Sequence, residues 1–496
     1  MNIDFTNNKD KFENAFTFES SSPPKQPPPP SPTAVHKSKY KRNSLPRNTE
    51  EARQRRIELD AQVRKRQREQ LISAKRFKHH ENYRDDDDAD IEKLKSGLSN
   101  VNRDTRLSSL QDLSKFLVDP PDTLKQFVIE GNCIEILIVY IAAGPKEFVN
   151  KALTAVPYLI SFLERDNISL QDQAAWAIGN IAIESPEYRD LLRKNGVLIP
   201  LINLLDYKDV NLVQTACFAL SNLARTPNAG LDEFFAGGID KHLLRHLKTD
   251  ESFEVVSEVA WVLTYITSDK DNKYTTQLLE EGLASLLVKH MRPLLGHGPL
   301  ALPLIRTLGN IASGPDENTD ILIQQSDFLP TMIEFIQSDC RPVKKESLWV
   351  MSNITAARRP DVLDKVFNTG FIPILSIIAT HSNFDIRKEA AYGLINIASH
   401  GAEFMRSLPH QELLPGFLEY IRSQDFDLIR LGLGYIEMLL TQVQNGKQLM
   451  ESMQGIDALE SVTLIEDQLL RNSASRLMDQ YFEEISNEMQ QIEEII

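Results

Sequence analysis

Six segments of this chain place a ring or a cation four residues before a polar side chain, a spacing that puts both on one face of a helix. They are QAAWAIGNIA (173–182), TACFALSNLA (215–224), EVAWVLTYIT (258–267), PLIRTLGNIA (303–312), ESLWVMSNIT (346–355) and EAAYGLINIA (389–398). All three tryptophans, Trp176, Trp261 and Trp349, share this register, with Phe218, Arg306 and Tyr392 in the other segments. The companions are Asn180, Asn222, Tyr265, Asn310, Asn353 and Asn396. Rings alone would read as core. A buried carboxamide without partners costs about 1–3 kcal/mol, however, and repeating it makes little sense in a core. On an open groove, the same carboxamides can donate to and accept from the backbone of an extended peptide.

The rings would then wall slots for long cations, whose stems pack on them and whose charge faces the π cloud, worth about 0.5–2 kcal/mol each. Acidic residues keep register beside them: Glu184 four after Asn180, Glu258 three before Trp261, and Asp316 six after Asn310. Glu346 and Glu389 stand three before Trp349 and Tyr392. Singly, each is a solvated surface carboxylate; together they point to cation selection. No other chemistry competes. His242 and His246 lack an HExxH pattern or a third ligand, and the GHG at 296–298 is a loop rather than a phosphate-binding turn. Cys133, Cys217 and Cys340 form neither a metal set nor a disulfide framework, which suits a reducing compartment. No nucleophile constellation is present, so an enzyme is not expected.

The elements that must carry this row are helices. From about residue 90 the pattern is helical throughout with short breaks, and the ring position recurs at offsets of 42, 43, 45, 43 and 43 residues. A glycine before an apolar helix keeps the same period at Gly196, Gly238, Gly282 and Gly370. Such periods in an all-α chain predict a solenoid of two- or three-helix units, each burying its apolar face only against its neighbours.

The net charge of −15 divides unevenly: residues 1–84 hold 19 Lys+Arg against 10 Asp+Glu, and the remainder 36 against 60. A body this acidic repels phosphates, so direct nucleic-acid binding is not expected. Residues 1–46, Pro-rich and poor in apolar side chains, read as disordered. Residues 47–84 hold a basic stretch without Pro or Gly after Arg47, read as a helix over 49–80, and Asp85–Asp88 as a linker. The polar start is not a signal peptide, and no apolar run is long enough for a bilayer.

These residues closely resemble the importin alpha (karyopherin alpha) family, whose armadillo repeats carry WxxxN on their third helices. Tyr265 in place of Asn and Arg306 in place of Trp match two exceptions that the family shows in the same order. The resemblance runs from about residue 50 to 485. It implies an all-α, right-handed superhelical solenoid of about ten armadillo repeats over 85–480, a basic N-terminal arm, and an acidic tail over 481–496.

It also implies an import adaptor that holds nuclear-localisation peptides of cargo proteins and shuttles between cytoplasm and nucleus, passing transiently through the nuclear envelope. A major site would comprise Gln173, Trp176, Asn180, Glu184, Phe218, Asn222, Glu258 and Trp261. A minor site would comprise Arg306, Asn310, Asp316, Thr319, Glu346, Trp349, Asn353, Glu389, Tyr392 and Asn396. Residues 47–84 resemble the importin-beta-binding segment, with Arg53, Arg55, Arg56, Arg64, Lys65, Arg66 and Arg68 as the basic helix. Lys75, Arg76 and Lys78 stand where the family has its groove-occupying cluster. Residues 455–485 resemble the last repeat, used with a recycling exportin. No cofactor, metal or membrane insertion is implied.

Three departures stand out. Phe218 and Tyr392 replace tryptophans, and the repeat before Trp176 has Ile136 and Tyr140 where the Trp/Asn pair is expected, with Gly144 still fitting. These losses predict a greater reliance on the minor site. A catenin-like armadillo scaffold in adhesion or signalling is the rival reading; its groove is typically basic, and the carboxylates argue against it.

Overall fold

The computed structural model describes residues 93–116 and 153–493, with gaps at 95, 99, 101, 154, 226–229, 270–271, 358 and 382–383. Ile136, Tyr140, Gly144 and the whole of 47–84 lie outside the described residues. Among the described residues every regular element is a helix.

One unit shows the plan. Pro186–Lys194 opens with a proline and with Ser185 accepting from the Tyr188 amide, which satisfies one of the orphan N–H groups of a first turn. The chain then reverses at Gly196, φ +80°, into Leu198–Leu204. The third helix, Val210–Leu223, starts where the Asp209 carboxylate accepts from the Leu212 amide at 2.9 Å. Gly238, Gly282 and Gly370 repeat the left-handed turn at φ between 73° and 93°. At Gly196, Gly238 and Gly370 a Cβ would meet nothing within 4 Å, so the backbone angle, not lack of space, is what calls for glycine.

The third helices carry the row. They are α1 Ile168–Glu184, α2 Val210–Leu223, α3 Phe253–Ile266, α4 Leu302–Ala312, α5 Arg341–Thr355, α6 Phe384–Ala398, α7 Phe426–Gln442 and α8 Gln468–Glu493. Each packs on the next, while first and second helices pack on their counterparts outside. The core is therefore a continuous seam, with Phe162, Phe234, Phe328, Phe371, Phe417 and Phe482 fully buried along it. Helix α8 runs through the boundary drawn at 480/481, because nothing from Gln468 to Glu493 breaks a helix: the segment has no proline and no glycine. Among the described residues no single helix is long and apolar enough to cross a membrane.

Candidate functional site

Helices α1 to α6 bring the six ring and cation positions into one row. On α1 and α2 the rings are accessible. Trp176 and Phe218 are half-buried, as are Gln173 and, on α3, Glu258, while Glu184 at the end of α1 is exposed. The acidic character there is felt by Tyr188, whose hydroxyl is raised first by burial and then by the charges of Glu184 and Glu187. Behind it, Arg189 donates to the Ala182 carbonyl at 2.7 Å; burial, with Arg225 nearby, lowers its pKa to about 10.

The asparagines differ from the sequence expectation. Asn180, Asn222, Asn310 and Asn396 are buried, and Asn353 is half-buried. Their amide nitrogens are used inside the protein. Asn222 donates to the Gly179 carbonyl (3.2 Å), Asn310 to Thr264 (2.9 Å), Asn353 to Gly309 (3.1 Å) and Asn396 to Ser352 (2.7 Å). In every case the acceptor lies one residue before the equivalent position of the preceding repeat. Asn180 instead donates to Trp176 in its own helix, at 2.9 Å. These carboxamides fasten one third helix to the next, which resolves the burial cost that had argued for an open groove. Asn222 Oδ1 is buried without a hydrogen-bond partner, so a peptide N–H could reach it only if the helix pair moved.

The same acceptor position sets the seat of the following ring. At Gly179 a Cβ would lie 2.6 Å from Phe218 Cε1, and at Gly309 one would lie 2.0 Å from Trp349 Cζ3. Each ring thus packs directly against a bare stretch of the preceding helix. The Gly-Asn pairs 179–180 and 309–310 are visible in the sequence, but a glycine within a helical pattern does not by itself reveal this approach.

From α3 onward the row closes. Trp261 is 2% exposed, Trp349 6% and Tyr392 7%, with Glu389 and Thr319 also buried. Thr319 Oγ1 donates to the Ala312 carbonyl. Arg306 and Glu346, both placed in the minor site by sequence, are buried and face each other, Nε to Oε2 at 3.5 Å. The Arg306 guanidinium also lies 5.6 Å from the centre of the Trp261 ring, which Tyr265 flanks at 6.3 Å. Between α3 and α4, Thr264 and Thr307 share a hydroxyl bond at 3.1 Å, and Asn310 reaches Thr267 at 3.3 Å. Asp316, in the first turn of Asp316–Ile323, stays half-buried. Beyond α6 the row ends: Tyr435 is fully buried, stacked on Phe417 and bonded to His410.

The histidine pair is structural. His242 faces Asp206 at 3.2 Å, and His246 bridges the Leu205 carbonyl and Glu251, each at 2.9 Å. Among the described residues no group of three His, Cys, Asp or Glu side chains is placed to hold a metal.

The Armadillo/beta-catenin-like repeat family matches residues 185–225. Importin subunit alpha-9 of Arabidopsis thaliana is 35% identical over 365 residues, 69% of each chain. Importin subunit alpha-2 of Oryza sativa subsp. japonica is 30% identical over 446 residues, 79% of this chain and 82% of its own. In fold, the crystal structure of an engineered protein superimposes with a TM-score of 0.60, covering 79% of this chain and 98% of that one at 22% identity.

Proposed function

Since the chain belongs to the importin alpha family, we propose that it is the adaptor that captures basic localisation peptides on α1 to α3 and delivers them with importin beta, engaged through residues 47–84. An adaptor role in nuclear import, with movement between cytoplasm and nucleus, follows from the family, as does the absence of enzymatic activity. The observation that carries the finer reading is the accessible strip on α1 and α2. Half-buried Trp176 and Phe218 stand one repeat apart, with exposed Glu184 at one end and half-buried Glu258 on the next helix.

A lysine entering between these rings would lay its stem on apolar surface and bring its ammonium to Glu184. The minor site is the second station, with Asn353 on α5 and Asp316 on the helix after α4 as its accessible polar groups. The asparagine links hold the slots at fixed spacing, so the peptide finds a preformed row rather than ordering one. Exit with an exportin through α8 belongs to the same reading. Titration of the full chain with a basic signal peptide, before and after Glu184→Arg, tests it. Binding that survives the charge reversal unchanged defeats this placement of the site.

A further inference from the structure

The middle of the row already has an occupant. Arg306 starts on α4, yet its guanidinium reaches back to within 5.6 Å of the Trp261 ring centre on α3. Its Nε lies 3.5 Å from the Glu346 carboxylate on α5. Both side chains of the pair are nearly dry, at 4% and 6% exposed, and Trp261 is 2% exposed. A ring face within about 6 Å, a carboxylate beside it and exclusion of water are what a cation-binding slot requires.

From this we propose that Trp261 and Glu346 form a cation slot filled by the protein's own Arg306, which acts as an internal ligand rather than as a contact for cargo. Glu346 is thereby a positioning residue for Arg306. The row is divided into two segments by a filled tooth, not by a missing one. The inference deepens the proposed function, because it decides which cationic patterns the row accepts. The slot itself stands on geometry and does not need that function.

Emptying the slot is the test. Arg306→Ala removes the guanidinium from beside a buried carboxylate, so the melting temperature of the full chain should fall. Methylguanidinium in the millimolar range should restore it in a saturable way, with no such effect on the unmodified chain. The double variant Arg306→Ala/Glu346→Gln, with no carboxylate to satisfy, should not respond. Absence of saturable rescue in Arg306→Ala, or equal rescue of the double variant, overturns the slot.

If Arg306→Ala does not fold, Glu346→Gln alone provides the measurement. The Arg306 side-chain Nε–H resonance should shift and exchange faster with solvent, and an unchanged resonance overturns the pairing. A second arm compares a peptide with evenly spaced lysines against one with two separated clusters. Arg306→Ala should move the affinity ratio toward the even peptide by about tenfold, one slot's worth. Rescue without a change in that ratio would keep the slot and defeat its role in cargo choice. No peptide binding to either protein, with rescue intact, would defeat the proposed function alone.

Discussion

Asn222 on α2 donates to the carbonyl of Gly179 on α1, the glycine on which the Phe218 ring of α2 also rests. One backbone position thus receives both a hydrogen bond and a ring from the next repeat, and Gly309 does the same for Asn353 and Trp349. The alignment of neighbouring third helices and the seating of their rings are therefore a single event.

Adding one methyl at these seats should uncouple them. Gly309→Ala places a carbon 2.0 Å from Trp349 Cζ3, and Gly179→Ala places one 2.6 Å from Phe218 Cε1. Overpacking of this kind costs about 1–3 kcal/mol. Gly393→Ala, where the added carbon meets only the Leu375 side chain at 3.2 Å, should cost less. Chemical denaturation of the three variants checks the order; helix propensity favours alanine at all three positions, so an equal loss at Gly393 would mean that ring seating does not govern.

Trp176 and Trp349 should separate binding from stability. Trp176 is half-buried, so Trp176→Ala should weaken a basic peptide by up to about tenfold with little change in melting temperature. Trp349 is 6% exposed and seated on Gly309, so Trp349→Ala should cost about 3–5 kcal/mol of stability. The expected order puts peptide binding on the accessible rings of α1 and α2, whereas the sequence predicts a greater reliance on the minor site. Fluorescence anisotropy and calorimetry on both variants decide between the two weightings.

Removing residues 1–84 should tighten peptide binding. Those residues carry a net positive charge and the remainder a net negative one, and tethering gives the Lys75–Lys78 cluster an effective concentration on the order of millimolar at the row. Equal peptide affinity of the full and shortened chains would rule out self-competition. Residues 49–80 fused to an inert reporter should be retained by importin beta at low salt and released as salt rises.

Acid should loosen the packing of His410 against α7. Burial holds the His410 imidazole below its ordinary value, with the Tyr435 hydroxyl 2.7 Å from Nδ1. Below about pH 6.5 the unfolded chain takes up a proton that the folded chain refuses, so this contribution is present above that pH and lost beneath it. Melting temperatures of the parent and of His410→Gln should converge as pH falls from about 7.5 to 5. Parallel curves would show that other groups govern acid sensitivity. In alkali, burial of Tyr435 raises its hydroxyl, so stability falls once unfolded tyrosine ionises above about pH 10.

The period of the rings and the turn glycines made the solenoid legible, because both depend on local spacing. Helix periodicity identifies which face a residue occupies but not which carbonyl of the next helix it meets. For that reason Asn222, Asn310, Asn353 and Asn396 read as free carboxamides when they are inter-repeat links. The Arg306–Glu346 pair was hidden for a related reason. Arg306 and Glu346 are 40 residues apart, and only the stacking of α4 on α5 shows that their charges face each other.

The filled tooth at Arg306 makes the row a gauge with an asymmetric scale. From Phe218 on α2 to Trp349 on α5 is three helix steps, about 8–10 Å each. At about 3.3 Å per extended residue, a peptide needs roughly seven to nine residues to span that distance. A shorter spacer cannot touch both stations, whatever its sequence. A longer one loops out, at only about 0.6 kcal/mol for each doubling of its length. On the proposed function, the stretch between a cargo's two basic clusters should therefore lengthen almost freely, while deletions there should meet a hard stop.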